Sequence, residues 1–341
     1  MKTVQDYRIT DSEDNYETER DKKFSALVDA FESNRTSVNK FFRARGFNRN
    51  EVKQDADFVE DKEYEMLENA GMISSLDTDK ALEAILFYMG SSDQIFNRES
   101  YTEPGSDYDD FVNGVDIIFG FPNEGSKYDT VFSIDACSAT LPEPIAKKFK
   151  NIEKHSRDNT PGCNRIKYFE HGGKFTHLNC TPNYIVGTMP SHVASAVDAL
   201  ELKDGIIQPC AIDENLRKKI LIEILLQSQT GALACNLVEE PDNFTERAKT
   251  SHKRIHAACT DALYQIFGID KEADEANEEF DKAILESFKT LASDDLTFKY
   301  ICNEALSRRA TVRELVHGKR MRRAEKTRRR AFPESHETHL P

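Results

Sequence analysis

Two strand-like runs in this chain each carry one carboxylate among apolar neighbours, and this limits how the chain can fold. Asp116 follows Gly114-Val115 and precedes Ile117-Ile118-Phe119, while Asp135 ends the run Val131-Phe132-Ser133-Ile134. β-Branched and aromatic residues in this density specify strands with at least one covered face. A carboxylate inside such a run loses hydration, so it needs a cation, hydrogen-bond donors or a raised pKa. If the two strands are neighbours, their acids can share a divalent cation, because Mg²⁺ (or Mn²⁺) takes oxygen ligands.

Around these runs the pattern is helical. Phe24, Leu27, Val28, Phe31, Val38, Phe41 and Phe42 recur at helical spacing over residues 22–45, and further helices are expected over 50–70 and 77–89. Asp77 or Thr78 is placed to cap the third. Strands are expected at 114–121, 128–136, 164–170 and 183–189, with helices at 142–154 and 191–200 between and after them. In the third strand, strict alternation puts Ile166 and Phe169 on opposite faces. Asp109 and Asp110 read as solvated turn formers before the first strand. From Glu214 onward the chain is mainly helical, with segments over 242–267, 272–292 and 295 onward. The apolar stretch Ile220-Leu221-Ile222-Glu223-Ile224-Leu225-Leu226 predicts a helix covered on several sides. The expected class is α/β, a small mixed sheet flanked by helices and extended by helices at both ends. The expected organisation is a disordered acidic segment (1–20), a helical extension (21–76), an α/β core (77–237), a helical region (238–307) and a basic helical or disordered tail (308–341).

Composition excludes some classes of function. No apolar run of about 18 residues suggests a membrane span, the N-terminus lacks the apolar core of a signal peptide, and seven scattered Cys form no disulfide framework. These features predict a cytoplasmic protein without a membrane partner. The net charge of −14 conceals an asymmetry: residues 308–330 hold eleven Lys or Arg against two acids. Within that run Arg320, Arg322, Arg323, Lys326, Arg328, Arg329 and Arg330 form a ready electrostatic handle for DNA or RNA phosphates. The competing expectation is a solvated helical end resting on the chain's own acidic surface.

The order of helix, strand with Asp, strand with acid, helix and strand resembles the core of the PD-(D/E)XK nuclease superfamily. The blocks YDDFVNGVDIIFGF, FSIDACSA, IKYFEHGG, PNYIVG and IEILLQSQTGALA, in that order, look like an uncharacterised bacterial nuclease-like family. The resemblance covers residues 80–237 and implies a restriction-endonuclease-like core, Mg²⁺ (or Mn²⁺) as cofactor and phosphodiester hydrolysis in DNA or RNA. It assigns Asp116 and Asp135 to the metal, Ala136 to a carbonyl ligand, and a helical acid, Glu83 or alternatively Glu68, to completing the site. The superfamily's lysine two residues after the second acid is here Cys137, so the motif is degenerate. The resemblance then implies a lysine from a neighbouring element: Lys147 or Lys148 on the following helix, or Lys167 on the third strand, with Lys147 and Lys167 preferred. Without one, the chain would be a non-catalytic nucleic-acid-binding or assembly module on the same scaffold.

Other constellations are weaker. Cys163, His171, His177 and Cys180 lack the tight spacing of zinc sites and read as residues around a hairpin at Gly172-Gly173. His252 and His256 lie four apart on a helix and read as a solvated or partly packed pair. Nucleotide-binding glycine loops and a Gly-x-Ser-x-Gly elbow are absent from the sequence.

Overall fold

The computed structural model describes residues 18–69, 78–96, 98–122, 129–156, 160–204, 206–208 and 213–331, without the side chains of 66–69, 206, 208, 320 and 322–331. The segment expected to be disordered at the N-terminus therefore lies almost wholly outside the described residues, as does Asp77. The chain is mixed α/β. Helix α1 (Glu19–Asn34) starts with a capping box in which Thr18 and Asp21 satisfy each other's backbone N–H groups, and it buries Leu27 and Phe31. The helix expected over 22–45 is broken: Arg35 is extended, and a short 3₁₀ helix, Val38–Arg43, follows a Ser37 cap. Helices α2 (Arg49–Asn69) and α3 (Thr78–Ser91) come next.

Strand β1 (Tyr101–Pro104), helix α4 (Asp107–Asn113), β2 (Ile117–Phe121), β3 (Thr130–Cys137), helix α5 (Pro142–His155), β4 (Cys163–His171) and β5 (Lys174–Gly187) build the sheet region. The sheet order is β1-β2-β3-β5-β4, antiparallel except where β5 runs parallel to β3. Helix α5 supplies the crossover that a parallel neighbour requires. Sequence patterning missed β1, a short edge strand, and underestimated β5, whose first half is exposed and polar. The expectation for Ile166 and Phe169 is corrected too: both pack in one cluster with Val115 and Ile118, because register shifts in β4 between these residues interrupt the alternation.

After β5 come α6 (Pro190–Ala199), a two-stranded ribbon of β6 (Glu201–Lys203) and β7 (Ile206–Gln208), then α7 (Glu214–Ala234), α8 (Asn243–Phe267), α9 (Ala276–Asp294) and α10 (Leu296–Ala331). One sheet face carries Ile117, Phe119, Phe132, Ile134, Ala136, Tyr184 and Val186 into the main core, with Leu82 and Ile85 of α3 and Leu221 and Ile224 of α7. That cluster reaches from Leu27 of α1 to Phe298 of α10. The other face is covered by α5, whose Ile145, Phe149 and Ile152 meet Cys137, Ile185 and Ile301. Among the described residues, one helical stretch, α7 continued to Leu237, is long and apolar enough to cross a membrane. Here Leu221, Ile222 and Ile224 are buried, and the helix packs against α8, α10 and β5.

The short helix α4 turns the chain into β2. Ser106 caps its start, and Gly114 ends it at φ 59°, a conformation glycine adopts without strain. Asp109 is no solvated turn former. It is fully buried, and its carboxylate accepts hydrogen bonds from the Ser106 hydroxyl, the Asn113 amide and the backbone N–H groups of Lys167 and Tyr168. The irregular stretch of β4 thus finds its acceptors in a side chain. Replacing Asp109 with Ala leaves two backbone donors buried without partners, and is expected to lower stability by about 3 kcal/mol. Chemical denaturation of Asp109→Ala measures this, and a loss below about 1 kcal/mol would show that β4 is held otherwise.

Candidate active site

Asp116 stands one residue before β2, whose antiparallel register with β3 opens at Ile117↔Ile134, and Asp135 follows Ile134 on β3. Both carboxylates lie within reach of one charge, the Lys148 ammonium. Ladder geometry breaks here, since the Asp116 N–H donates to Ile134 O, one residue off the register. Just before β2 begins, the Ala136 N–H donates to Asp116 Oδ2 at 2.6 Å. Asp116 therefore has a structural task, supplying the acceptor that the finished ladder cannot. Asp135 Oδ2 lies over Gly114, where a Cβ would approach it to 2.8 Å. Glycine is required there twice, for the helix end and for this carboxylate.

The lysine against the acids is Lys148. Its Nζ pairs with Asp135 Oδ1 from α5. Lys147, one residue earlier, is exposed on the outer side of α5. Lys167 is engaged elsewhere: its Nζ lies 2.5 Å from Asp55 and 2.7 Å from Glu51, and ties α2 to β4. Cys137, at the position of the motif lysine, is buried among apolar side chains. Burial there pushes its thiol up to about 11, so it is neutral and inert. Helical phase explains the choice of Lys148. At about 100° per residue, its Cβ borders the buried stripe of Ile145, Phe149 and Ile152, whereas Lys147 points a further turn fraction outward.

Glu83 is buried on α3 beside the pair. Arg35 Nη2 lies 3.3 Å and Lys80 Nζ 3.4 Å from Glu83 Oε2, and Arg35 also meets Asp110 Oδ2 at 2.6 Å. The side chain of Glu68, the alternative acid, lies outside the described residues. Burial raises the pKa of Glu83 to about 7; Asp110 adds to the rise, while Lys80 and Arg35 oppose it. Burial, then Glu83 and Asp110, push Asp116 well above the usual carboxylate range. Asp135 is raised by burial and pulled back by Lys148. Burial would lower Lys148, but Asp135 and Asp116 outweigh it and keep the ammonium charged. All three carboxylates are raised chiefly by burial, with neighbouring acids adding to the rise.

The donor chemistry of these residues is the test of fit for a divalent cation. Asp116 and Asp135 offer hard oxygen donors at adjoining strand ends, and Mg²⁺ commonly binds through one or two carboxylates, with water and phosphate oxygens filling the rest. Among the described residues, no group of three His, Cys, Asp or Glu side chains converges as a complete protein-only metal site would require. The pair therefore suits a cation shared with a ligand. Ala136 contributes its N–H to Asp116, and its side chain faces the main core.

The histidines and cysteines assemble otherwise. His171 stacks on Tyr101 with centroids 4.0 Å apart and bonds Glu103 at 2.7 Å, at the end of a hairpin turning through Gly172-Gly173. His252 is fully buried, with Nδ1 2.8 Å from the Tyr184 hydroxyl, and burial lowers its pKa to about 4. His256 is half-buried on the same helix. A polar cluster unforeseen in the sequence joins Lys219 to Asp295 (2.7 Å), with Thr188 and His192 against the same carboxylate. Asp295 also accepts the Phe298 N–H, which caps α10. Only its position before an apolar helix hinted at this role.

Comparisons of the chain with family models, curated proteins and solved structures find no match.

The raised pKa of Glu83 has a consequence with a definite sign. Its folded value of about 7 exceeds the ordinary glutamate value of 4.5, so the protonated form is favoured by folding. Its contribution is fully present below about pH 4.5 and is lost as pH rises through about 7. Denaturant unfolding between pH 5 and 8 should show the parent losing more stability with rising pH than Glu83→Gln. Parallel profiles would place the charge elsewhere in the cluster.

Proposed function

We propose that the chain is a PD-(D/E)XK-like, metal-dependent nuclease that hydrolyses phosphodiester bonds in DNA or RNA. The observation that carries this reading is Lys148, whose Nζ pairs with Asp135 and whose charge also meets that of Asp116. The order α3, β2, β3, α5, then β5 parallel to β3 is compatible with the restriction-endonuclease-like core implied by the sequence resemblance. The motif lysine missing at Cys137 has a counterpart in Lys148.

In this reading Asp116 and Asp135 hold Mg²⁺ (or Mn²⁺), and Glu83 adjusts the charge behind them. The bound cation would lower the pKa of a coordinated water and neutralise phosphoryl oxygens. Lys148, anchored by Asp135, orients the attacking water and offsets charge that grows on the phosphate. The basic segment Arg320, Arg322, Arg323, Lys326, Arg328, Arg329 and Arg330 grips backbone phosphates without reading sequence.

A second reading, a non-catalytic nucleic-acid-binding or assembly module on the same scaffold, is favoured by one observation. Arg35 and Lys80 already bind Glu83, and no third protein donor joins the acid pair among the described residues. The deciding experiment is Mg²⁺- and Mn²⁺-dependent cleavage of single- and double-stranded DNA and RNA by the parent, Asp135→Asn and Lys148→Met. Asp135→Asn is expected to lose at least about 100-fold in rate, and Lys148→Met about 10- to 100-fold. Equal cleavage by parent and Asp135→Asn would overturn the nuclease reading. No cleavage by any of them, with retained binding, would establish the module.

A further inference from the structure

Helix α5 separates two features. On one flank Lys148 meets Asp135; on the other, Phe149, Ile152 and Ser156 line a cavity of about 320 Å³ that α7 and α10 complete with Thr230 and Ala305. Its lining is mainly apolar, and its polar side chains are largely engaged within the protein. Asn183 bonds Ser133 and Gly114 O, Gln227 bonds both backbone groups of Ile185, and Thr230 bonds Leu226 O. Such a chamber accepts a flat, uncharged ring. At its mouth the Arg308 guanidinium sits 4.8 Å over the Phe149 ring, held there by Glu153 and by Glu304 at 2.8 Å. Arg308 thereby offers a planar cation, and its two acids disfavour an anion in the chamber itself.

The exposed back of α5, between these flanks, carries Lys147, Lys150 and Lys154. At spacings of three and four residues they fall in one stripe. Alone, such a stripe would be a solvated face. Here it lies between an acid pair suited to a phosphate-bound cation and a chamber suited to a base. An α-helix is about 10–12 Å across, a width that one nucleic-acid strand spans in a few nucleotides.

Building on the nuclease reading, we propose that the substrate is single-stranded, or locally unpaired, nucleic acid. Its backbone crosses the back of α5 on Lys147, Lys150 and Lys154, and one base, near the phosphate at Asp116 and Asp135, enters the cavity against Arg308. A base paired in a duplex cannot enter such a chamber without being extruded. Lys147, expected from the sequence resemblance to act in the chemistry, acts here on the backbone.

The test is fluorescence anisotropy of labelled single-stranded and duplex 20-mers of DNA and RNA, without divalent cation, across a salt series. The proteins are the full-length parent, Ala305→Phe, which fills the cavity, Phe149→Leu, which removes the ring under Arg308, and Lys147→Gln/Lys150→Gln/Lys154→Gln. Thermal unfolding confirms that each is folded. The parent is expected to prefer single strands by at least about 10-fold; one lost base contact corresponds to about 5- to 150-fold. Ala305→Phe and Phe149→Leu should erase most of that preference and leave duplex binding unchanged. The lysine variant should weaken both and flatten the salt dependence. Equal parental binding of single strands and duplex, or a preference that survives folded Ala305→Phe and Phe149→Leu, would overturn the proposal. The readouts are separable. A preference that Ala305→Phe abolishes, with no Asp135-dependent cleavage, supports the base chamber and removes the nuclease. Asp135-dependent cleavage without strand preference does the reverse.

Discussion

The contact between Lys148 and Asp135 is the interaction on which this site is built. Asp135 and Asp116 stand at the adjoining ends of β3 and β2, and both are buried. Coulomb repulsion between buried like charges is large where the effective dielectric is low. The Lys148 ammonium offsets part of that repulsion, and the Ala136 N–H offsets a further part at Asp116. Removing either acid would therefore alter the other's protonation as well as the lysine's, and the three groups are best regarded as one titrating unit.

Around that unit, charged groups from distant parts of the chain interlock. Arg35, where α1 ends, reaches Glu83 on α3 and Asp110 on α4, and Lys80 reaches the same acids. The N-terminal helices thus form one wall of the acid cluster, although the sequence resemblance stops short of them. Asp109 and Lys167 extend the linkage, one holding β4 to α4 and the other holding β4 to α2. These groups set the orientation of β2 and α4 at the point where Asp116 enters the sheet.

Several of these relations were legible beforehand. The acids Asp116 and Asp135 stood out because carboxylates are costly inside apolar strands, and Glu83 because its helix precedes the first of them. The lysine was narrowed to the helix after β3 or the strand beyond it, but Lys147 and Lys167 were weighted over Lys148. Choosing among them needs the phase of α5 against the sheet, which depends on which residues α10 and β5 leave room to bury. Asp109 was misread because turn-forming carboxylates usually face water, and its buried partners lie nearly sixty residues away. Ile166 and Phe169 were assigned to opposite faces because alternation assumes an unbroken strand, and a bulge leaves no reliable trace in composition.

The sequence by itself determined the local chemistry: strand and helix periods, the caps at Thr18, Ser106 and Asp242, the glycine at Gly114, and the two acids in apolar company. These depend on neighbours within a few residues, where backbone sterics and local hydrogen bonds dominate. Only the tertiary structure decided that β5 lies parallel beside β3, that Lys148 meets Asp135, and that Lys219 finds Asp295 across 76 residues. Such pairings follow from how apolar faces stack, and a buried charge then takes whichever partner that stacking brings within reach.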